Sequence, residues 1–211
     1  MVCRKLLNQH FLREKSMPLS QAILMWNLCM PKRQFRFERL MINRQAGLFH
    51  NIKYFPQVMK LYIKYLRHLE DDFSKFSEHS LEGMVEFIER VTPHFYLVLA
   101  DDEVCGFFCL EHLIGSDRQI YSAEVVTCFN RKYWGTFTKY AARAFQDFCF
   151  EDLGLKKLKA LVYPQNSRVK AVLRVCGFEK EAYLKAETRK NGRFQDIEIY
   201  SAFNNKEDLC N

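Results

Sequence analysis

Residues 133–178 read YWGTFTKYAARAFQDFCFEDLGLKKLKALVYPQNSRVKAVLRVCGF, and the reading of this stretch decides the fold. Tyr133-Trp134-Gly135-Thr136 is a loop with a single glycine, leading into an amphipathic helix from Phe137 to about Phe150. Leu158 to Tyr163 follows as a strand. Pro164-Gln165-Asn166 then opens a second helix, because an Asn at that place can accept from the free N–H groups of a first turn. Gly177-Phe178 closes it.

Upstream, Phe35 to Asn43 alternates well enough to predict a first strand. Val58, Leu61, Tyr62, Tyr65, Leu66 and Leu69 recur at helical spacing within residues 52–69. Ser80 caps a second helix whose apolar face is Leu81, Met84, Val85, Phe87 and Ile88, and Thr92-Pro93 stops it. Phe95 to Ala100 and Val104 to His112 make a hairpin around Asp101-Asp102-Glu103, and Tyr121 to Phe129 is a further strand. Downstream, Glu181 to Lys190 and Phe194 to Phe203 pair around Asn191-Gly192, a dipeptide suited to a type I′ turn. Pattern alone supports a mixed α/β domain over residues 35–203, a helical extension over 1–34 (weak helices over Val2–Glu14 and Leu19–Met30) and a polar tail over 204–211.

The charge is uneven. Residues 1–68 hold thirteen Lys/Arg against two Asp/Glu, whereas residues 69–211 hold nineteen against twenty-three. The basic character thus belongs to the N-terminal third, which fits either a polyanionic partner for residues 1–68 or a solubilising face. Eight cysteines are spread without a Cys-x-x-Cys pair, mostly inside apolar runs. That excludes a disulfide framework and a zinc site from the expectation and favours a reducing, cytoplasmic setting. No apolar run is long enough to span a bilayer, and Pro31-Lys32-Arg33 stands where a secretory cleavage site would be needed.

Loop, helix, strand, Asn-opened helix and terminal Gly-Phe together resemble the coenzyme-binding half of the general N-acetyltransferase (GNAT) superfamily. The resemblance covers roughly residues 36 to 203. Val162-Tyr163-Pro164-Gln165-Asn166, Leu173 and Gly177-Phe178 carry it most strongly, and Arg189 to Asp196 is similar to the tail of the ribosomal-protein-alanine acetyltransferase branch. It implies an α/β (α+β) fold with a mixed, mostly antiparallel central sheet flanked by helices. It also implies acetyl-CoA as cosubstrate, a primary amine as acceptor and no metal.

The residues can be read beside that expectation. A pyrophosphate is suited to a helix N-terminus, where free N–H groups and the helix dipole favour an anion. The N-terminus near Phe137 is the candidate, with Gly135, Thr136, Phe137, Thr138 and Lys139. The family loop places small residues where Phe137 and Lys139 stand here, a departure that leaves Phe137 either crowding phosphate or packed in the core. The pantetheine arm needs a backbone edge, assigned to Val125, Val126 and Thr127. The resemblance places Asn166 beside that arm, although it also serves as a plain N-cap. Lys156, Lys157, Lys159, Arg168, Lys170 and Arg174 cluster with no carboxylate from 153 to 178, and Arg168 and Lys170 are the candidates for phosphate.

Taking a proton from an ammonium needs a base. Glu124 is the one carboxylate of its strand, and some GNAT enzymes carry their base in a similar Ala-Glu-hydrophobic-hydrophobic setting; an exposed or lysine-paired Glu is the structural alternative. A tyrosine that many members place four residues before the Gly of Gly-Phe is Leu173 here, with Tyr163 and Tyr140 as substitutes lacking positional support. Asp196 is either an amine-recognising group or a turn-flanking charge. The six histidines, all before residue 113, are given core or loop roles. The expected function is acetyl transfer from acetyl-CoA to a primary amine, such as a protein N-terminus. The alternative is a degenerate GNAT-fold binding module whose basic N-terminal region contacts RNA or a ribosome.

Overall fold

A computed structural model gives the arrangement of residues 35–69, 71–72, 80–116 and 119–204, with side chains described only up to residue 64 in the first of these segments. The expectations for residues 1–34 and for the tail beyond Asn204 lie outside the described residues, as do the side chains of Tyr65, Leu66 and Leu69.

The elements run β1 (Arg36–Arg39), β2 (Met41–Asn43), β3 (Leu48–His50), α1 (Phe55–Leu69) and α2 (Leu81–Val91). They continue as β4 (Phe95–Ala100), β5 (Glu103–Ser116), β6 (Gln119–Phe129), α3 (Thr136–Glu151) and β7 (Lys157–Val162). The chain finishes with α4 (Ser167–Val175), β8 (Glu179–Lys190) and β9 (Arg193–Phe203). Seven strands form one sheet in the order β1-β4-β5-β6-β7-β9-β8. Every neighbouring pair is antiparallel except β6 and β7. The expected α/β architecture with a mostly antiparallel sheet is what forms.

Each face of the sheet has its own apolar core. One gathers Ala141, Phe145 and Cys149 of α3 and Leu173 of α4 onto Tyr96, Val98, Phe108 and Leu158. The other gathers Val58 and Leu61 of α1 and Met84, Phe87 and Ile88 of α2 onto Leu97, Leu99 and Phe107. β4 lies between them and all six of its residues are buried, as a strand covered on both sides must be. Phe108 and Phe145 stack at 4.4 Å, locking α3 to the sheet. Gly106 lets β5 and β6 meet, since a Cβ there would stand 2.5 Å from the Cys128 carbonyl.

Ser80 caps α2 as expected, its Oγ accepting from the Gly83 N–H at 3.0 Å. The Asn191-Gly192 turn has both residues at positive φ, 52° and 74°, which a type I′ turn requires. The first strand departs from expectation. Phe37 packs against the core under α3, whereas Leu40 is fully buried in the core under α2. Those opposite faces are what alternation gives residues three apart; the departure is that the strand stops at Arg39 and Met41–Asn43 leaves the main sheet to pair with Leu48–His50.

Candidate active site

β6 and β7 pair from Ser122–Lys157 only as far as Glu124–Lys159, although β6 continues to Phe129 and β7 to Val162. Past Glu124 the strands fork, and their facing edges are not paired with each other. β6 there offers backbone N–H and C=O groups to any extended, amide-bearing chain that enters. Val125, Val126 and Thr127 form this edge. Val125 packs toward the core under α3 and Val126 toward the core under α1 and α2. Thr127 Oγ1 donates to the Phe107 carbonyl at 2.9 Å. Their side chains are thus committed to the sheet, and their backbone is what faces the fork.

β6 ends near the N-terminus of α3. Gly135 is its N-cap, at φ 99°, with nothing within 4 Å of the position a Cβ would take. Few side chains adopt that backbone, and the space above it is open. The N–H groups of Thr136, Phe137 and Thr138 precede the first intrahelical bond, from Lys139 N to Gly135 O at 3.1 Å. No acidic residue lies in this first turn, so the helix end keeps its positive character.

Phe137, which replaces a small residue of the family loop, points away from this opening. Its ring lies 4.9 Å from Tyr133, 5.7 Å from Phe35 and 6.3 Å from Phe129. It is a core contact, and the departure from the glycine pattern leaves the helix end clear. Thr138 donates its hydroxyl to the Tyr133 carbonyl at 2.7 Å, so only its backbone N–H remains for a ligand.

Across the fork, Asn166 is the N-cap of α4, its Oδ1 accepting from the Val169 N–H at 3.3 Å. Its Nδ2 has no hydrogen bond among the described residues. Arg168 lies over the Trp134 ring at 4.9 Å, which draws the start of α4 to the loop before α3. Lys170 is engaged elsewhere: it pairs with Glu198 at 3.2 Å and donates to the Pro164 carbonyl. Lys157 likewise meets Glu181 at 2.6 Å, and Lys159 meets Glu124 at 3.2 Å. The cluster that lacks carboxylates along the chain finds them on neighbouring strands. Of its two phosphate candidates, Arg168 alone stays clear of acidic partners.

Glu124 stands at the base of the fork on the face of α1 and α2. Its side chain is 18% exposed, with Oε1 held by Lys159 and Oε2 2.7 Å from His112 Nδ1. The lysine-paired alternative is therefore realised, together with a histidine partner that sequence reasoning missed. No pattern could have shown it, because a bulge in β5 makes the contact. His112 and Leu113 together oppose Ala123, between the pairs Glu111–Glu124 and Ile114–Ser122. His112 takes φ 46°, and such a bulge re-aims a side chain.

The other candidates are accounted for. Leu173 is buried in the core. Tyr163 lies past the end of β7 with the Lys190 ammonium over its ring at 5.3 Å, and burial raises its hydroxyl pKa. Asp196 accepts from the Ala186 N–H at 2.8 Å and from the Tyr183 hydroxyl, so it braces the β8–β9 hairpin as a turn-flanking charge. Asp72, after α1, accepts from the N–H groups of Asn191 and Gly192, each at 2.8 Å, and ties its segment to the hairpin tip. The described cysteines, Cys105, Cys109, Cys128, Cys149 and Cys176, are all buried and free. Burial pushes the Cys128 thiol up to about 12 and the Cys176 thiol up to about 11. Neither is a thiolate at neutral pH. Among the described residues no group of three or more His, Cys, Asp or Glu is placed to hold a metal, and no helix is long and apolar enough to cross a membrane.

The comparisons with known proteins agree with this geometry. The chain is 27% identical over 135 residues to the uncharacterized N-acetyltransferase p20 of Bacillus licheniformis, covering 62% of this chain and 69% of that protein. Its fold is similar to the ribosomal-protein-S5-alanine acetyltransferase of Vibrio fischeri, with a TM-score of 0.65, 16% identity, and coverage of 84% of this chain and 97% of that one. A GNAT-family acetyltransferase from Bacillus anthracis gives a TM-score of 0.61 at 15% identity, with 81% and 95% covered. Mutant forms of the spermidine/spermine N-acetyltransferase of Vibrio cholerae give 0.56 at 19%, also with 81% and 95% covered. The forked strands and the open helix end lie within residues 39–179, the span that matches the model of the acetyltransferase (GNAT) domain, and the chain belongs to that family.

Proposed function

We propose that acetyl-CoA binds in the fork between β6 and β7 and that its acetyl group passes to a primary amine approaching from the face of α1 and α2. The supporting observation is the unpaired edge of Val125–Thr127 beside the open N-terminus of α3. In this reading the edge holds the pantetheine amides, and Asn166 Nδ2 donates to the same arm. The N–H groups of residues 136–138, with Lys139 and Arg168, meet the phosphates.

When bound, acetyl-CoA supplies an acetyl group already activated as a thioester. Glu124, at the base of the fork, accepts a proton from the ammonium of the acceptor. Attack is direct, since every described cysteine is buried and burial raises its thiol pKa, so none of them is an activated nucleophile. With Leu173 in the core, the departing thiolate leaves without a protein acid; a thiol of ordinary pKa near 8.5 tolerates that.

Protein N-termini are the first acceptors to test, on the strength of the tail residues 189–196. The free, buried cysteines support a reducing compartment such as the cytoplasm. The basic balance of residues 1–68 supports a polyanionic partner for that region.

A thermal-shift titration with acetyl-CoA, followed by labelled acetyl transfer to peptides and polyamines, tests the reading. Binding should raise the apparent stability, because the ligand favours the folded state. Glu124→Gln should lower kcat by about 10²–10⁴-fold, the usual worth of a general base, with acetyl-CoA affinity unchanged. A protein that neither binds acetyl-CoA nor transfers acetyl, yet retains RNA, would be a binding module on the same fold.

A further inference from the structure

We propose that His112 is the proton outlet of Glu124, carrying to solvent the proton that this carboxylate takes from the acceptor. The proposal rests on Glu124 being the base. An ammonium that becomes an amide gives up two protons. One ends on the coenzyme thiol, whose ordinary pKa near 8.5 keeps it protonated at neutral pH. The other must reach bulk water in every turnover.

Glu124 is poorly placed to release it alone, being 18% exposed with both oxygens engaged. Lys159, on its Oε1, already carries its full set of protons as an ammonium. His112, on its Oε2 at 2.7 Å, is 71% exposed and so touches Glu124 and solvent at once. The remaining carboxylate of this neighbourhood on β5, Glu111, is held by Arg90 of α2 at 2.7 Å, and Glu181 is held by Lys157. Neither of these pairs is hydrogen-bonded to the imidazole.

The steps balance. The ammonium proton passes to Glu124 and from Oε2 to His112 Nδ1, and the proton on Nε2 leaves to water. The carboxylate is restored and the imidazole is again neutral. Exchange with bulk water on the exposed ring, one proton gained at Nε2 and one lost from Nδ1, then returns the starting tautomer with no net change of charge. A surface loop histidine would need no such contact. The β5 bulge and the positive φ of His112 turn its side chain onto Glu124 where regular alternation would send it to the other face.

The test uses the full chain with acetyl-CoA and a short peptide bearing a free N-terminal alanine. His112→Gln can still hydrogen-bond to Glu124 but cannot relay a proton, whereas His112→Ala does neither. Both should lose about 10²-fold in kcat, the lower end of what proton transfer contributes, with acetyl-CoA affinity unchanged. Added imidazole should restore part of the loss in His112→Ala. A purely structural role predicts wild-type kcat in His112→Gln and no response to imidazole, and that result overturns the proposal.

Glu124→Gln run in parallel separates the two readings. An inactive Glu124→Gln beside a fully active His112→Gln removes His112 alone, whereas a fully active Glu124→Gln removes the base and the outlet together. Independently of any acceptor, the ¹⁵N shift of His112 Nδ1 should differ between wild type and Glu124→Gln, because its hydrogen-bond partner changes from a carboxylate to an amide. Identical shifts would show that the contact does not exist in solution, and would also overturn the proposal.

Discussion

Replacing Phe137 with Ala tests whether the departure from the family's glycine loop is a packing device or a defect. The ring contacts Phe35, Phe129 and Tyr133 at centroid distances of 5.7, 6.3 and 4.9 Å and is half-buried. A fully buried Phe cut to Ala costs about 3–5 kcal/mol. With part of the ring still in water, roughly half to two-thirds of that, about 2–3 kcal/mol, is expected. Alanine is the better helix former, so the backbone offsets a few tenths of this, about 0.5 kcal/mol at most. For a chain of this size the loss corresponds to a fall in Tm of about 4–12 °C.

The assay is urea unfolding of both proteins, with the m-value checked for constancy, and acetyl-CoA titration calorimetry on the same samples. Stability should fall while affinity for the folded state stays within about twofold, since the phosphate site is made of backbone N–H groups that the change leaves in place. A variant within about 0.5 kcal/mol of wild type, the range of surface substitutions, would show that the ring does not pack as described. Tighter binding in the same variant would show that Phe137 crowds the coenzyme after all.

Asn166→Asp separates the two duties of that residue: it keeps the cap acceptor but removes the Nδ2 donor. The melting temperature should hold, while acetyl-CoA affinity falls by about 1–2 kcal/mol, the scale of a lost hydrogen bond in a shielded site. Unchanged affinity by calorimetry would return Asn166 to a helix cap. For the hairpin tip, the Gly192 and Asn191 N–H groups and the Arg189 guanidinium hold the Asp72 carboxyl below its usual range. A depressed folded value means that its stabilisation is present above the unfolded pKa of about 3.9 and is lost as pH falls through the folded value. Asp72→Asn should therefore weaken protection of the Asn191 and Gly192 amides at neutral pH by NMR exchange. The contrast with wild type should fade only as pH falls through the lowered folded value of Asp72, beneath the usual carboxylate range, where both side chains become uncharged. Equal protection at neutral pH would mean that the tip holds itself.

Much of the fold was legible because its signals are local. Ser80 and Asn166 each bond to an N–H three residues on, and Gly135 and Asn191-Gly192 sit at the positive φ their turns require. The 3.6-residue spacing of Val58, Leu61 and Tyr62 tells which face is buried wherever the partner lies. Such features depend on chain neighbours alone, so one sequence suffices to read them. The helix end, the edge Val125–Thr127, Asn166 and Glu124 were named on these grounds together with a family resemblance.

Tertiary structure decided what rests on register between distant strands. Lys157, Lys159 and Lys170 look like free cations along the chain, but strand pairing brings Glu181, Glu124 and Glu198 to them from as far as 35 residues away. The end of the β6–β7 ladder at Glu124–Lys159 is equally invisible, since pairing that stops leaves no mark in composition. One inserted residue in β5 turns His112 onto Glu124, and alternation counted along β5 would place the two side chains on opposite faces. A side-chain period of two makes a strand's facing sensitive to a single insertion that only the pairing partner reveals. The residues of the site were in the sequence; which of them touch was settled by the sheet.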